Sequence, residues 1–247
     1  MRWWLFASGV GVYAAALVAS APATWFDAGL QRVGDGRLRL VEADGTLWSG
    51  KGRIEIREVG GRKGWTRQVA WQLRPAGLLR GRLAYNLSLE PGRSPVALTV
   101  AWQRVELEDL DIVLPAAAVG VGVPQLAPLA LLGDLHLKAA ALSVERGGML
   151  GSATMQWHEA GSSLSPLVPL GDYELRVMAE GLTSRASLHT LKGPLQLDGS
   201  GTWAHSSKPA LQVTAYVPPS FEPQVAPFLR LFAIERSAGN FQLQFND

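Results

Sequence analysis

Leu83-Ala84-Tyr85-Asn86-Leu87-Ser88-Leu89, then Glu90-Pro91-Gly92-Arg93-Ser94-Pro95, then Val96-Ala97-Leu98-Thr99-Val100-Ala101-Trp102, shows the repeating unit of this chain. Leucine, tyrosine and valine occupy every second position on either side of a Pro/Gly-rich break. Strict alternation puts all the apolar side chains of an extended segment on one face, which marks a half-buried β-strand. The break has turn chemistry, so the unit reads as two antiparallel strands joined at hairpin spacing.

Working outward, the same period of two recurs along the chain. Val69, Trp71 and Leu73 alternate with Gln68, Ala70 and Gln72; Tyr173, Leu175 and Val177 repeat the pattern, as do Leu211, Val213, Ala215 and Val217, and Phe241, Leu243 and Phe245. Gly60-Gly61-Arg62-Lys63-Gly64, Gly147-Gly148 and Asp198-Gly199-Ser200-Gly201 supply further turn signals. The body therefore reads as mainly β: an elongated, curved antiparallel meander with one or two short helices, closed either as a groove or as two stacked lobes. An Ala-rich run at 114–119 and a Pro-initiated amphipathic segment at 223–234 are the helix candidates. Residues 25–125 are expected to form a first β lobe and residues 126–247 a second, with the short helix near 223–234. Trp71 and Trp157 each sit on a strand after a Gly-rich turn, a pattern that either internal duplication or any antiparallel meander produces.

Composition agrees. Of 247 residues, 47% are hydrophobic and only 18% charged, with 27 Gly and 15 Pro, which excludes a coiled coil and a disordered charged tail. The absence of Cys excludes disulfide scaffolds, Cys-ligated zinc, iron–sulfur clusters and thiol catalysis. A net charge of +2 gives no basic field of the kind that holds nucleic acid.

Part of the hydrophobic content lies at the N-terminus. No charge occurs between Arg2 and Asp27. A run of about 20 apolar residues is long enough to cross a bilayer as a helix. Trp3 and Trp4 at one end and Trp25 at the other are placed for an interfacial aromatic belt, with Leu5, Phe6, Val10, Val12, Leu17 and Val18 between them. Residues 1–24 are therefore expected to form a transmembrane anchor, with the N-terminus cytoplasmic and the bulk outside. The alternative is a cleaved signal ending at Ala21-Pro22-Ala23.

No catalytic or metal-ligating constellation emerges, so no enzymatic activity and no cofactor are expected. His136, His158, His189 and His205 belong to no short-spaced motif. Glu106, Glu108, Asp109 and Asp111 alternate with or flank apolar residues, as on a solvated strand face or edge. The distinctive local feature is Asp44-Gly45-Thr46-Leu47-Trp48-Ser49-Gly50-Lys51-Gly52. Trp48 either anchors the core beside a bulge or turn, or belongs to a docking surface.

In this setting the chain resembles the type II secretion system protein N family. The resemblance rests on the anchor, on Gly45, Thr46, Leu47, Trp48 and Gly50, on Trp71, Leu73 and Pro75 followed by Leu78-Leu79-Arg80-Gly81, on Leu170, Gly171 and Tyr173, and on Gly239-Asn240-Phe241-Gln242-Leu243. It spans essentially the whole chain, although residues 140–165 depart from the pattern. The resemblance implies a single-pass inner-membrane protein with a periplasmic β-rich body in a Gram-negative bacterium. It would be an accessory, non-enzymatic part of the general secretion machine, contacting the inner-membrane platform or the secretin. The β-rich body is also similar to AsmA-like proteins, which implies the alternative of lipid binding or transfer in an apolar groove.

Overall fold

A computed structural model describes residues 13, 16–17, 19–33, 36, 38–57, 63–89, 94–122, 124–205, 207, 210–231 and 233–245. Most of the expected anchor (Trp3, Trp4, Leu5, Phe6, Val10, Val12 and Val18) lies outside these residues, as do the turn signals at 60–62 and 90–93. Leu17 is helical and exposed. Among the described residues no helix is long and apolar enough to cross a membrane.

The expected alternation becomes a single open sheet. Among the described residues, fourteen strands follow one another in chain order, except that the last hairpin is reversed, placing β14 between β12 and β13. The strands are β1 Leu38–Gly45, β2 Ser49–Arg57, β3 Lys63–Arg74, β4 Leu83–Ser88, β5 Val96–Ala101, β6 Arg104–Pro115, β7 Leu131–Glu145, β8 Gly148–Ser162, β9 Gly171–Gly181, β10 Thr183–Lys192, β11 Gln196–Ala204, β12 Leu211–Tyr216, β13 Ile234–Ser237 and β14 Asn240–Phe245. Every pairing is antiparallel.

Register makes one face apolar throughout, because a period-two strand in a fixed register aligns like side chains. Leu73, Tyr85, Leu98, Leu107 and Leu142 form one cross-strand row. Ile112, Leu137, Met155, Leu175 and Leu188 form another. Between these rows the ladder is irregular. Asp109 has a left-handed backbone, and β7 and β8 shift register between Lys138 and Leu142. Bulges of this kind raise twist while keeping the apolar set on its face.

Two segments cover this face. Helix α1, Thr24–Val33, packs over β1–β4, and Ala23, Phe26 and Leu30 join Leu40, Val69, Trp71, Leu73 and Tyr85 in a cluster. Helix α2, Glu222–Leu229, lays Val225, Phe228 and Leu229 against Val213, Ala215, Phe241 and Leu243. The sheet is continuous through the residue 125/126 boundary, since β6 and β7 pair over most of their length.

Several local expectations shift. The run at 114–119 is not helical from its start. β6 continues through Pro115, which is extended, and the helical turn starts at Ala116. The helix expected over 223–234 ends at Leu229, because Ile234 and Glu235 pair with Gln242 and Phe241. Trp102 does not extend β5: the strand ends at Ala101, and Trp102 stands in the β5–β6 turn with 90% of its surface exposed.

Candidate functional site

The residues of the two N-terminal motifs come together at the β1–β2 hairpin tip. The tip turns on Thr46, whose hydroxyl accepts from the amides of Trp48 and Ser49, while its own amide donates to the Ser49 carbonyl at 2.9 Å. This is the short Ser/Thr turn that competes with regular strand and so ends it. Gly45 has φ +100°, and a Cβ there would lie 2.5 Å from the Ser49 carbonyl, so only glycine fits.

Trp71 on β3 reaches across to this tip. Its indole Nε1–H donates to the Thr46 carbonyl at 2.9 Å, and its ring lies over Gly50, where a Cβ would stand 2.5 Å from Cζ2. The Leu73 amide donates to the Trp48 carbonyl at 2.6 Å. Pro75 opens the 3-10 turn Pro75–Arg80, which Gly81 closes in a left-handed conformation. Gly45, Thr46, Leu47, Trp48, Gly50, Trp71, Leu73, Pro75 and Gly81 thus form one contiguous structure, far apart in sequence but joined by register.

That structure holds the segment leading out of the expected anchor. The Leu47 amide donates to the Ala21 carbonyl, Pro22 bridges to Thr46, and the Ala23 amide donates to the Gly45 carbonyl. Ala23 is 1% exposed. Phe26, in the first turn of α1, meets Trp71 edge-on at 5.2 Å and Tyr85 at 6.0 Å, geometry favoured by the aromatic quadrupole. Burial raises the Tyr85 phenol pKa above its ordinary value. Asp27 accepts from the Leu40 amide on the outer edge of β1 and lies 3.6 Å from Arg39, so α1 also covers part of that edge. Trp25 points away and is exposed.

Leu170, Gly171 and Tyr173 lie elsewhere, at the start of β9. The buried Tyr173 hydroxyl donates to the Leu195 carbonyl at 3.0 Å, and Gly171 is where a Cβ would meet that hydroxyl. Burial drives the Tyr173 phenol pKa strongly upward, with the Asp172 charge adding to the effect. Trp157 lies tilted against Tyr173, ring centroids 6.0 Å apart, and donates its indole N–H to the Leu132 carbonyl. Trp71 and Trp157 therefore do the same work, each tying its strand to a carbonyl 25 residues earlier.

The opposite face carries a polar cluster that separation along the chain concealed. His136 and His158 pack edge-on at 4.7 Å, and Asp172 receives the Glu159 amide at 2.8 Å, with Lys192 Nζ at 3.2 Å and His158 Nδ1 at 3.3 Å. Burial pushes the Asp172 pKa up, but these donors outweigh it and hold the carboxyl below its ordinary value. Cross-strand neighbours at this register were the only signal available.

Between α2 and the 3-10 turn Pro124–Leu129 the apolar face opens into a cavity of about 240 Å³. Leu129, Met155, Trp157, Leu188, Phe228 and Leu243 are among its walls. Its polar groups are engaged: the Tyr173 hydroxyl as above, and the Ser162 hydroxyl by donation to the Leu129 carbonyl.

Comparison with known proteins agrees with the motif assembly. A family model described as type II secretion system (T2SS), protein N matches residues 36–244, a span running from the start of β1 into β14. No curated protein and no solved structure matches the chain. With most of its length covered by that match, this chain belongs to the type II secretion system protein N family.

Proposed function

We propose that this protein is an accessory, non-enzymatic component of the general secretion machine, anchored in the inner membrane by residues 1–24 with its sheet in the periplasm. Its role is to present a rigid β surface to other secretion components. The observation that carries this reading is the clamp: two backbone hydrogen bonds, which make the Pro22–Thr46 bridge, and a buried Ala23 fix residues 21–23 to the β1–β2 tip. Cleavage before Thr24 would remove Ala23 from the aromatic cluster and leave the Gly45 carbonyl and the Leu47 amide unmatched, which favours a retained anchor over a signal peptide.

Strand addition is the contact mode the sheet favours. The outer edge of β1 is partly covered by α1, and β13 is short and carries the Arg230–Glu235 pair, both ways of blunting an edge. Inside the sheet, β6 continues to Pro115 beyond its last pairing with β5 at Ala97–Glu108. Residues 112–115 are laddered to β7 alone among the described strands. They offer backbone donors and acceptors to an added strand. Affinity purification of the detergent-extracted full chain from its host tests the proposal. Platform or secretin components are expected in the eluate, and their absence counts against it.

The cavity supports a second reading, that the body holds lipid. Its lining suits an acyl chain, but its volume falls below the roughly 300–1,000 Å³ of sites that enclose a drug-sized ligand. Native mass spectrometry of the full chain is expected to show no stoichiometric lipid, and a bound lipid mass would promote this reading over the first.

A further inference from the structure

In a meander, alternate hairpins emerge at the same end of the sheet. The β1–β2, β3–β4, β5–β6 and β7–β8 turns therefore share one end, and residues 21–23 are clamped there. This end combines exposed apolar groups with arginines. Leu78 and Leu79 lie on the β3–β4 turn, Leu79 being 92% exposed, and Trp102 lies on the β5–β6 turn. Behind them Leu83, Val105 and Val144 form part of an exposed cross-strand row on the apolar face.

Arg80, Arg82, Arg104 and Arg146 stand among these residues, all exposed. Arg104 is paired with Glu106 and Glu145. Arg80, Arg82 and Arg146 have no carboxylate partner among the described residues. The other end also exposes Leu164, Val168 and Leu191, but its Lys192 is paired with Asp172. Among the described residues, the clamped end joins cations without a carboxylate partner to exposed leucine and tryptophan, the pairing that suits an anionic lipid interface.

We infer that this hairpin end docks on an anionic phospholipid bilayer, with Leu79 and Trp102 in the interface and Arg80, Arg82 and Arg146 on the headgroups. The inference deepens the anchored reading: strands lie about 4.8 Å apart, so an anchor leaving the β1–β2 tip emerges roughly 10 Å from the β3–β4 turn and roughly 20 Å from Trp102. The sheet then stands on the membrane by one end, leaving residues 112–115 away from it.

The absence of cysteine allows single-site spin labels on the full chain reconstituted in phosphatidylethanolamine/phosphatidylglycerol vesicles. Labels at Leu79→Cys and Gln103→Cys report the docking end, Ser163→Cys and Lys192→Cys the opposite end, and Val10→Cys the anchor. The expected result is shielding of 79 and 103 from an aqueous relaxation agent while 163 and 192 remain accessible. Arg80→Gln/Arg82→Gln/Arg146→Gln should shift engagement by about 100-fold toward the free form. Accessible labels at 79 and 103 with a shielded label at 10 would overturn the docking and leave the anchor standing. Accessible labels at all three would overturn both. Shielding unchanged in the arginine variant, or present only in native envelopes and not in vesicles, would overturn the lipid assignment in favour of a protein partner.

Discussion

Replacing Gly50 by alanine tests the motif assembly at its tightest point. Gly50 does not need a left-handed backbone, so alanine is conformationally permitted; the obstacle is space. The added methyl would lie 2.5 Å from the Asp44 carbonyl oxygen and 2.5 Å from Cζ2 of Trp71. Neither can yield freely, because Asp44 is in the β1–β2 ladder and the indole is held by its bond to Thr46. Overpacking of this kind costs about 1–3 kcal/mol. Displacing the indole also forfeits a hydrogen bond worth about 0.5–1.5 kcal/mol. The sum is about 1.5–4.5 kcal/mol, and at roughly 2–4 °C per kcal/mol for a chain of this length the Tm falls by about 3–18 °C. The assay is thermal unfolding of the full chain in detergent by far-UV circular dichroism, with mobility of a spin label at Ser20→Cys as a second readout. Gly29→Ala is the control, since nothing lies within 4 Å of its added methyl and glycine inside a helix costs about 0.5–1 kcal/mol; this variant should be more stable. In a Trp71→Leu background the Gly50→Ala penalty should shrink, leaving the Asp44 contribution. An unchanged Tm and an immobile label at position 20 would refute the packing argument.

Three other outcomes are expected. Tyr173→Phe leaves the Leu195 carbonyl without its donor in a buried site and should cost about 1–3 kcal/mol, measured by chemical denaturation. The folded pKa of Asp172 lies below its unfolded value of about 3.9, so its stabilisation is fully present above that pH and is lost as pH falls through the folded pKa; Asp172→Asn should lower stability at neutral pH and flatten the acid limb of the profile. Intact mass of the protein purified from its host should include residues 1–23, whereas a chain beginning at Thr24 would contradict the retained anchor.

Much of the fold was legible because one rule governs most of it. Alternation in 69–73, 83–89 and 211–217 specifies extended, one-faced segments, and Gly147 lies in the β7–β8 turn as expected, whereas Asp198-Gly199-Ser200-Gly201, read as a turn, lies inside β11, where both neighbouring strands pair with it. Helix ends were less legible because they are set by competition with long-range pairing: Ile234 enters a strand only because Gln242 lies opposite. Trp102 was misplaced because a turn residue following an alternating run continues its pattern by chance. The motif residues could be recognised, but not their joint work, which depends on the register that brings Trp71 over Gly50. The His136–His158–Asp172–Lys192 cluster joins residues from four strands and leaves no local trace.

The central claim is that a clamped, open sheet offers backbone to a secretion partner, and site-specific photo-crosslinking in native envelopes tests it most directly. A photo-reactive residue at Val113, on the part of β6 paired with β7 alone, is compared with one at Ser187, inside the sheet between two partner strands. The account predicts a crosslink from 113 to a platform or secretin component and none from 187. No secretion component captured at 113, with the variant protein folded and present at normal levels, would contradict it.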